Sequence, residues 1–135
     1  MRKKLFVSAE SFFKDYVGCE IKYGSKAPKT NTLVSHIEIT NAKEKLDIYF
    51  KATSSLTGKI AEVYMLEKLE NQDLIEDFFC ELSNIIAGMA KVEMEGNAES
   101  VEYHLSTPKL VEKIPRLSSS KVYKLFNKCF MVGIR

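Results

Sequence analysis

The sequence predicts an α+β protein, a single domain over residues 1–135, with a largely antiparallel sheet and two long helices packed on it. Three observations carry this expectation. Strand-like segments come in runs instead of alternating singly with helices. Two helical patterns follow one another in the middle of the chain. No repeat, low-complexity tract or linker divides a length that suits one core.

Taken in order, Ser8 is expected to cap a short helix over 9–17, with Phe12, Phe13, Tyr16 and Val17 as its apolar side and Gly18 as its stop. Cys19 to Tyr23 alternates as a strand, and Gly24 to Asn31 is a polar loop. Thr32 to Thr40 alternates Leu33, Ser35, Ile37 and Ile39 against Val34, His36 and Glu38. After the turn-forming Asn41-Ala42-Lys43, the residues Leu46, Ile48 and Phe50 alternate again, so the pair reads as a β-hairpin. Thr53 or Ser54 opens a helix to about Lys68, with Leu56, Ile60, Val63 and Tyr64 as apolar content. A longer helix follows over about 73–92, with Asp73 as its cap and Glu76 as the capping-box partner. Gly96-Asn97 breaks it. Val101, Tyr103 and Leu105 alternate up to Pro108. Ser118-Ser119-Ser120 reads as a turn, and strands over 122–126 and 129–134 close the chain around Asn127-Lys128.

Composition excludes several classes. Hydrophobic residues make up 45% and charged residues 28%, the balance of a globular protein that needs no metal or disulfide staple. A net charge of +2, with no long run of one sign, gives no footprint for nucleic acid. No window approaches ~20 apolar residues, so no membrane span is expected. The apolar Leu5-Phe6-Val7 after Met1-Arg-Lys-Lys is too short for a secretory core. Cys19, Cys80 and Cys129 form no C-x-x-C pair, and buried thiols in a reducing cytoplasm are expected. His36 and His104 lack a second ligand at zinc spacing, and no phosphate-cradling glycine motif or G-x-S-x-G elbow is present. No cofactor of the chain's own is expected.

What remains is Asp77-Phe-Phe-Cys-Glu81-Leu-Ser-Asn84-Ile-Ile-Ala-Gly88, within the longer helix. Leu74, Phe78, Leu82, Ile85 and Met89 recur at helical spacing as the predicted core face. At ~100° per residue Asp77, Glu81, Asn84 and Gly88 form a second stripe, on a different side of the helix from the first. Asn is a mediocre helix former and Gly costs about 1 kcal/mol mid-helix relative to Ala. Their shared stripe suits close approach of another surface. The same pattern describes solvated polar residues at the edge of a core face. Glu38 and Asn41 also match E-x-x-N, but on a strand entering a turn, where residues three apart point to opposite faces.

The segment Asp77 to Gly88 resembles the D/S-x-x-x-E-x-x-N-x-x-x-G signature of the chemotaxis phosphatase family that includes CheX, CheC and FliY. Ala90-Lys91-Val92-Glu93 and Leu105 through Val111 resemble the CheX continuation from helix into a proline-ended strand. The likeness is close over 77–111 and loose over most of the chain. CheC-type members carry the motif twice, whereas Ser11-Phe-Phe-Lys-Asp15-Tyr-Val-Gly18 lacks it, which places the chain nearer CheX.

The resemblance implies dephosphorylation of the aspartyl phosphate of a CheY-like response regulator, with Mg²⁺ held by that partner. It assigns Asn84 to orienting the attacking water, Glu81 to engaging the partner's active-site lysine, Asp77 to support and Gly88 to close packing. It also implies a homodimer formed through sheet edges. A non-catalytic module that docks on a receiver domain or flagellar switch component is the alternative.

Overall fold

The computed structural model describes residues 2–96 and 102–135. Helix α1, Arg2–Ser11, runs on as a π-helical stretch, Phe12–Val17. Strands β1 (Lys22–Gly24), β2 (Thr32–Thr40) and β3 (Lys45–Thr53) follow, then α2 (Ser54–Met65) and α3 (Gln72–Gly96). The short β4 (His104–Leu105) and β5 (Lys109–Leu110) lead to β6 (Ser119–Leu125) and β7 (Lys128–Ile134). The sheet has the order β1-β6-β7-β3-β2-β4, with β5 also on β2, and every pairing is antiparallel.

Local chemistry accounts for the connections. Asn41 Oδ1 accepts the N–H groups of Lys43 and Glu44, both at 2.9 Å, and closes the β2–β3 hairpin as an Asx turn. The turn between β6 and β7 places Phe126 and Asn127 at φ of 50° and 63°, the double left-handed step of a two-residue hairpin. Thr53 Oγ1 accepts Leu56 N–H at 3.0 Å and starts α2, as the sequence predicts. The cap of α3 is Asn71 instead of Asp73: its Oδ1 accepts Leu74 N–H at 2.9 Å. Both residues are good caps, and the one used starts the helix two residues earlier.

The first helix departs furthest from expectation. Ser8 does not cap it but lies buried within α1, at 3% exposure. Leu5 and Ala9 are fully buried, so the apolar stripe of Phe12 and Phe13 extends upstream and pulls the first residues into helix. Gly18, at φ of +76°, ends the run as predicted. The first helical segment is therefore longer than predicted, and it lies on the sheet beside the two long helices. Ser119 and Ser120 open β6 instead of forming a turn. Of the predicted strand at 101–105, residues 102–103 are not strand and His104–Leu105 forms β4, while Val101, like Asn97, lies outside the described residues.

The helices cover one face of the sheet. Register pairs Ile37 with Ile48 and Ile39 with Leu46, and sets Phe50 beside Val132 and Ala52 beside Phe130, so one parity of each strand faces inward. Against these pack Leu5, Phe12 and Phe13, then Leu56 and Ile60 from α2, then Phe79, Leu82 and Ile86 from α3. On the opposite parity Val34, Tyr49 and Met131 are also buried. Residues 111–118 run from β5 at the β2 edge to β6 beyond β7 and strap this outer face. Val111 N–H donates to Val34 O at 2.9 Å, Ser118 N–H donates to Ile134 O at 2.7 Å, and Leu117 fills the space that a Cβ on Gly133 would need.

Candidate active-site ridge on α3

The residues buried on α3 are Phe78, Phe79, Leu82, Ser83, Ile86, Ala87, Ala90 and Met94. At ~100° per residue their mean direction lies about 170° from that of Asp77, Glu81, Asn84 and Gly88. The polar stripe therefore runs along the crest of the helix, opposite the core, and not on its flank. The predicted core face is corrected accordingly: Leu74 is 43% exposed, Ile85 and Met89 are half-buried, and Phe79 is fully buried. A helix lying on a sheet with neighbours at its side has two apolar contacts. The flank against α1 and α2 supplied the periodicity that the sequence displays most plainly.

Along the crest Asp77 and Glu81 are exposed, while Asn84 and Gly88 are half-buried. Glu81 and Asn84 are one turn apart, a rise of about 4.5 Å, and share a direction to within about 60°. Among the described residues no ion pair involves Asp77 or Glu81. Among the described residues their carboxylates thus stand without an internal cation to neutralise them, beside the Asn84 amide. Gly88 has room above it: among the described residues an added Cβ would meet only Leu105 Cδ2, at 3.9 Å. Beside Gly88, a shallow groove between α3 and the α1 region is lined by Val7, Ser11, Tyr16, Met89 and Val92. A convex crest with a side groove suits a macromolecular partner better than an enclosed small molecule.

Beneath the crest the helix is anchored by polar contacts. Ser35 on β2 and Ser83 on α3 are both fully buried, and their hydroxyls hydrogen-bond at 2.5 Å. Ser83 donates its one proton to Phe79 O at 3.0 Å, so Ser35 is the donor in the pair. At the far end Glu95 accepts from Tyr103 N–H at 3.1 Å and from Lys91 Nζ at 3.1 Å. The Tyr103 N–H, then Lys91, hold its carboxyl below the usual range. Burial, then Asp77 and Glu76, push the Cys80 thiol up, so this half-buried cysteine on the ridge's shoulder is a poor nucleophile.

The sequence also missed a cluster on the outer face of the sheet. The β2–β3 register brings His36 Nε2 to 2.8 Å from Asp47 Oδ1, while Lys45 Nζ lies 3.1 Å from Glu38 Oε1 and 3.8 Å from Asp47 Oδ1. One donor atom from each of His36, Glu38 and Asp47 falls within 4.8 Å of the others. Lys45 already serves as their cation, its ammonium held above its ordinary value by Glu38 first and Asp47 second. The hairpin alternation contains the signal, since residues paired across two strands share a face.

A family model described as chemotaxis phosphatase CheX matches residues 33–124, more than half of the chain and the whole of α3. No curated protein matches it. Among solved structures, chemotaxis protein CheX from Vibrio vulnificus aligns at 16% identity and a TM-score of 0.78, over 98% of this chain and 93% of that one. A CheC-like superfamily protein from Shewanella sp. PV-4 aligns at 18% identity and a TM-score of 0.75, over 98% and 94%. The CheX–CheY–BeF3–Mg²⁺ complex from Borrelia burgdorferi aligns at 15% identity and a TM-score of 0.72, over 98% and 95%. At these identities the structures share the fold, and the family model carries the assignment. The chain belongs to the chemotaxis phosphatase CheX family.

Proposed function

We propose that the crest of α3 hydrolyses the aspartyl phosphate of a CheY-like response regulator, with Asn84 and Glu81 as its working residues. The observation that carries this reading is the position of both side chains on one outward ridge, opposite the core and uncommitted to internal ion pairs among the described residues. Hydrolysis of a phosphoryl group on a partner that holds its own Mg²⁺ requires little covalent chemistry, chiefly an in-line water and balanced charge. The Asn84 amide offers both a donor and an acceptor, so it can hold the water while it touches the phosphoryl oxygens. Glu81, one turn away, suits a charge-assisted hydrogen bond to a lysine beside that phosphate. Asp77, a further turn back, adds negative potential that favours the same cation. Gly88 lets the partner's backbone come close. The chain supplies no metal or cofactor in this scheme.

The protein is read as cytoplasmic, consistent with three free cysteines and with no described helix long and apolar enough to cross a membrane. A homodimer through a sheet edge would use β1 with its exposed Tyr23, or the β4/β5 edge with Leu110. Sedimentation velocity of the wild type against Tyr23→Lys and Leu110→Lys tests it. For catalysis, phosphate release from a phosphorylated receiver is measured with wild type and Asn84→Ala side by side. A loss of about 10²–10³ in rate, with binding retained, is expected from removal of one positioned polar group. A wild-type protein that binds the receiver without speeding its decay would make the chain a docking module.

A further inference from the structure

We propose that the hydrogen bond between Ser35 and Ser83 is a rotational lock on α3, and that the two serines are positioning residues for the Glu81–Asn84 ridge. The inference rests on the reading of that ridge given above. The helix carries two apolar faces. One, through Phe79, Leu82, Ile86 and Ala90, lies on the sheet. The other, through Leu74, Phe78, Leu82, Ile85 and Met89, is centred about 100° away and is at least as regular in sequence. Both contain large aliphatic and aromatic side chains. Apolar burial is non-directional, so it discriminates weakly between two such rotations.

The serines supply the direction. They are two of only four buried polar or charged residues among the described residues. Ser83 precedes Asn84 and points toward the sheet, where its oxygen accepts the Ser35 proton. If α3 turned to lay its second face on the sheet, Ser83 would swing out to solvent and find water. Ser35, fixed on β2, would be left with a buried hydroxyl against an apolar surface and no acceptor. That penalty falls on the wrong rotation alone. The same turn would carry Glu81 and Asn84 from the crest to the flank, against α1 and out of a partner's reach. A buried polar pair of this kind selects one packing among several at little net gain in stability.

The test uses Ser35→Ala and Ser35→Ala/Ser83→Ala. In the single variant Ser83 still donates to Phe79 O, so no buried donor is orphaned and folding is expected. In the double variant both partners become apolar, a change close to neutral for stability. Two readouts are taken: kcat and KM for phosphate release from a phosphorylated receiver, and the alkylation rate of Cys80 resolved by mass spectrometry. In the second rotation Cys80 would lie farther from the sheet than it does now. Both variants are expected to melt near the wild type, to lose about 10–100-fold in kcat, and to alkylate at Cys80 several-fold faster. An unchanged Cys80 rate overturns the lock, whatever happens to kcat. If wild-type protein releases no phosphate, the reading of the ridge fails and the Cys80 rates alone decide the lock.

Discussion

Leu105 faces the position that a Cβ on Gly88 would occupy: the added atom would sit 3.9 Å from Leu105 Cδ2, in ordinary van der Waals range, and meet nothing else among the described residues. Among the described residues nothing therefore requires glycine at this position in the interior of α3. Gly88→Ala should raise stability, by up to about 1 kcal/mol from helix propensity. It should also weaken docking of a phosphorylated receiver, because the methyl group stands on the crest. Opposite movements of the thermal midpoint and of receiver affinity are the expected pair. A variant that gains stability and binds unchanged would place Gly88 outside the interface.

Glu81→Lys tests the charge that the ridge presents. Glu81 is exposed and pairs with no cation among the described residues, so the stability should stay within about 0.5 kcal/mol of wild type, as for other surface substitutions. Affinity for the receiver should fall by roughly 30-fold, the equivalent of about 2 kcal/mol, as a lysine meets a lysine. Titrations at low and high salt, with a smaller loss at high salt, check the electrostatic origin.

Glu95 ties the C-terminal turns of α3 to the chain leading into β4. Its carboxyl is held low by Tyr103 N–H first and by Lys91 second. A folded value below the unfolded one gives stabilisation that is present above the ordinary carboxylate range and is lost as pH falls through the depressed value. Protection of the last turns of α3 against amide exchange, taken relative to the intrinsic rate at each pH, should therefore fall on the acid side of that value. In Glu95→Gln this acid-side loss of protection should be largely absent. Exchange followed by NMR between neutral and acidic pH reads both.

Asn71→Ala removes the side-chain cap of α3, whose Oδ1 accepts Leu74 N–H at 2.9 Å. A loss of about 1 kcal/mol is expected, lowering the midpoint by roughly 3–5 °C for a chain of this size. Asp73→Ala should do much less, since Asp73 lies inside the first turn and contributes only through the helix dipole. Calorimetry on the two variants separates the cap from its near neighbour.

Much of the architecture was legible because its causes are local. The β2–β3 hairpin follows from alternation at Ile37, Ile39, Leu46 and Ile48 and from an asparagine able to fold its amide back on the turn. Thr53 and Gly18 mark helix ends by side-chain and backbone chemistry visible in the residue alone. The stripe of Asp77, Glu81, Asn84 and Gly88 is a matter of spacing, and any α-helix would align it. Residues 2–8 were not legible as helix, since that part of α1 is held by burial of Leu5 and other side chains under the other elements. The strap over the outer face escaped notice for a similar reason: residues 111–118 have no periodicity, and their place follows from where β5 and β6 end.

By itself the chain determined which residues share a face, because backbone geometry imposes that wherever a helix or strand forms. Only the tertiary structure decided which face looks outward. Two apolar stripes on α3 compete for the sheet, and apolar attraction scales with area and carries no direction. The choice falls to β2, whose Ser35 meets Ser83 in one orientation and thereby leaves Glu81 and Asn84 on the crest.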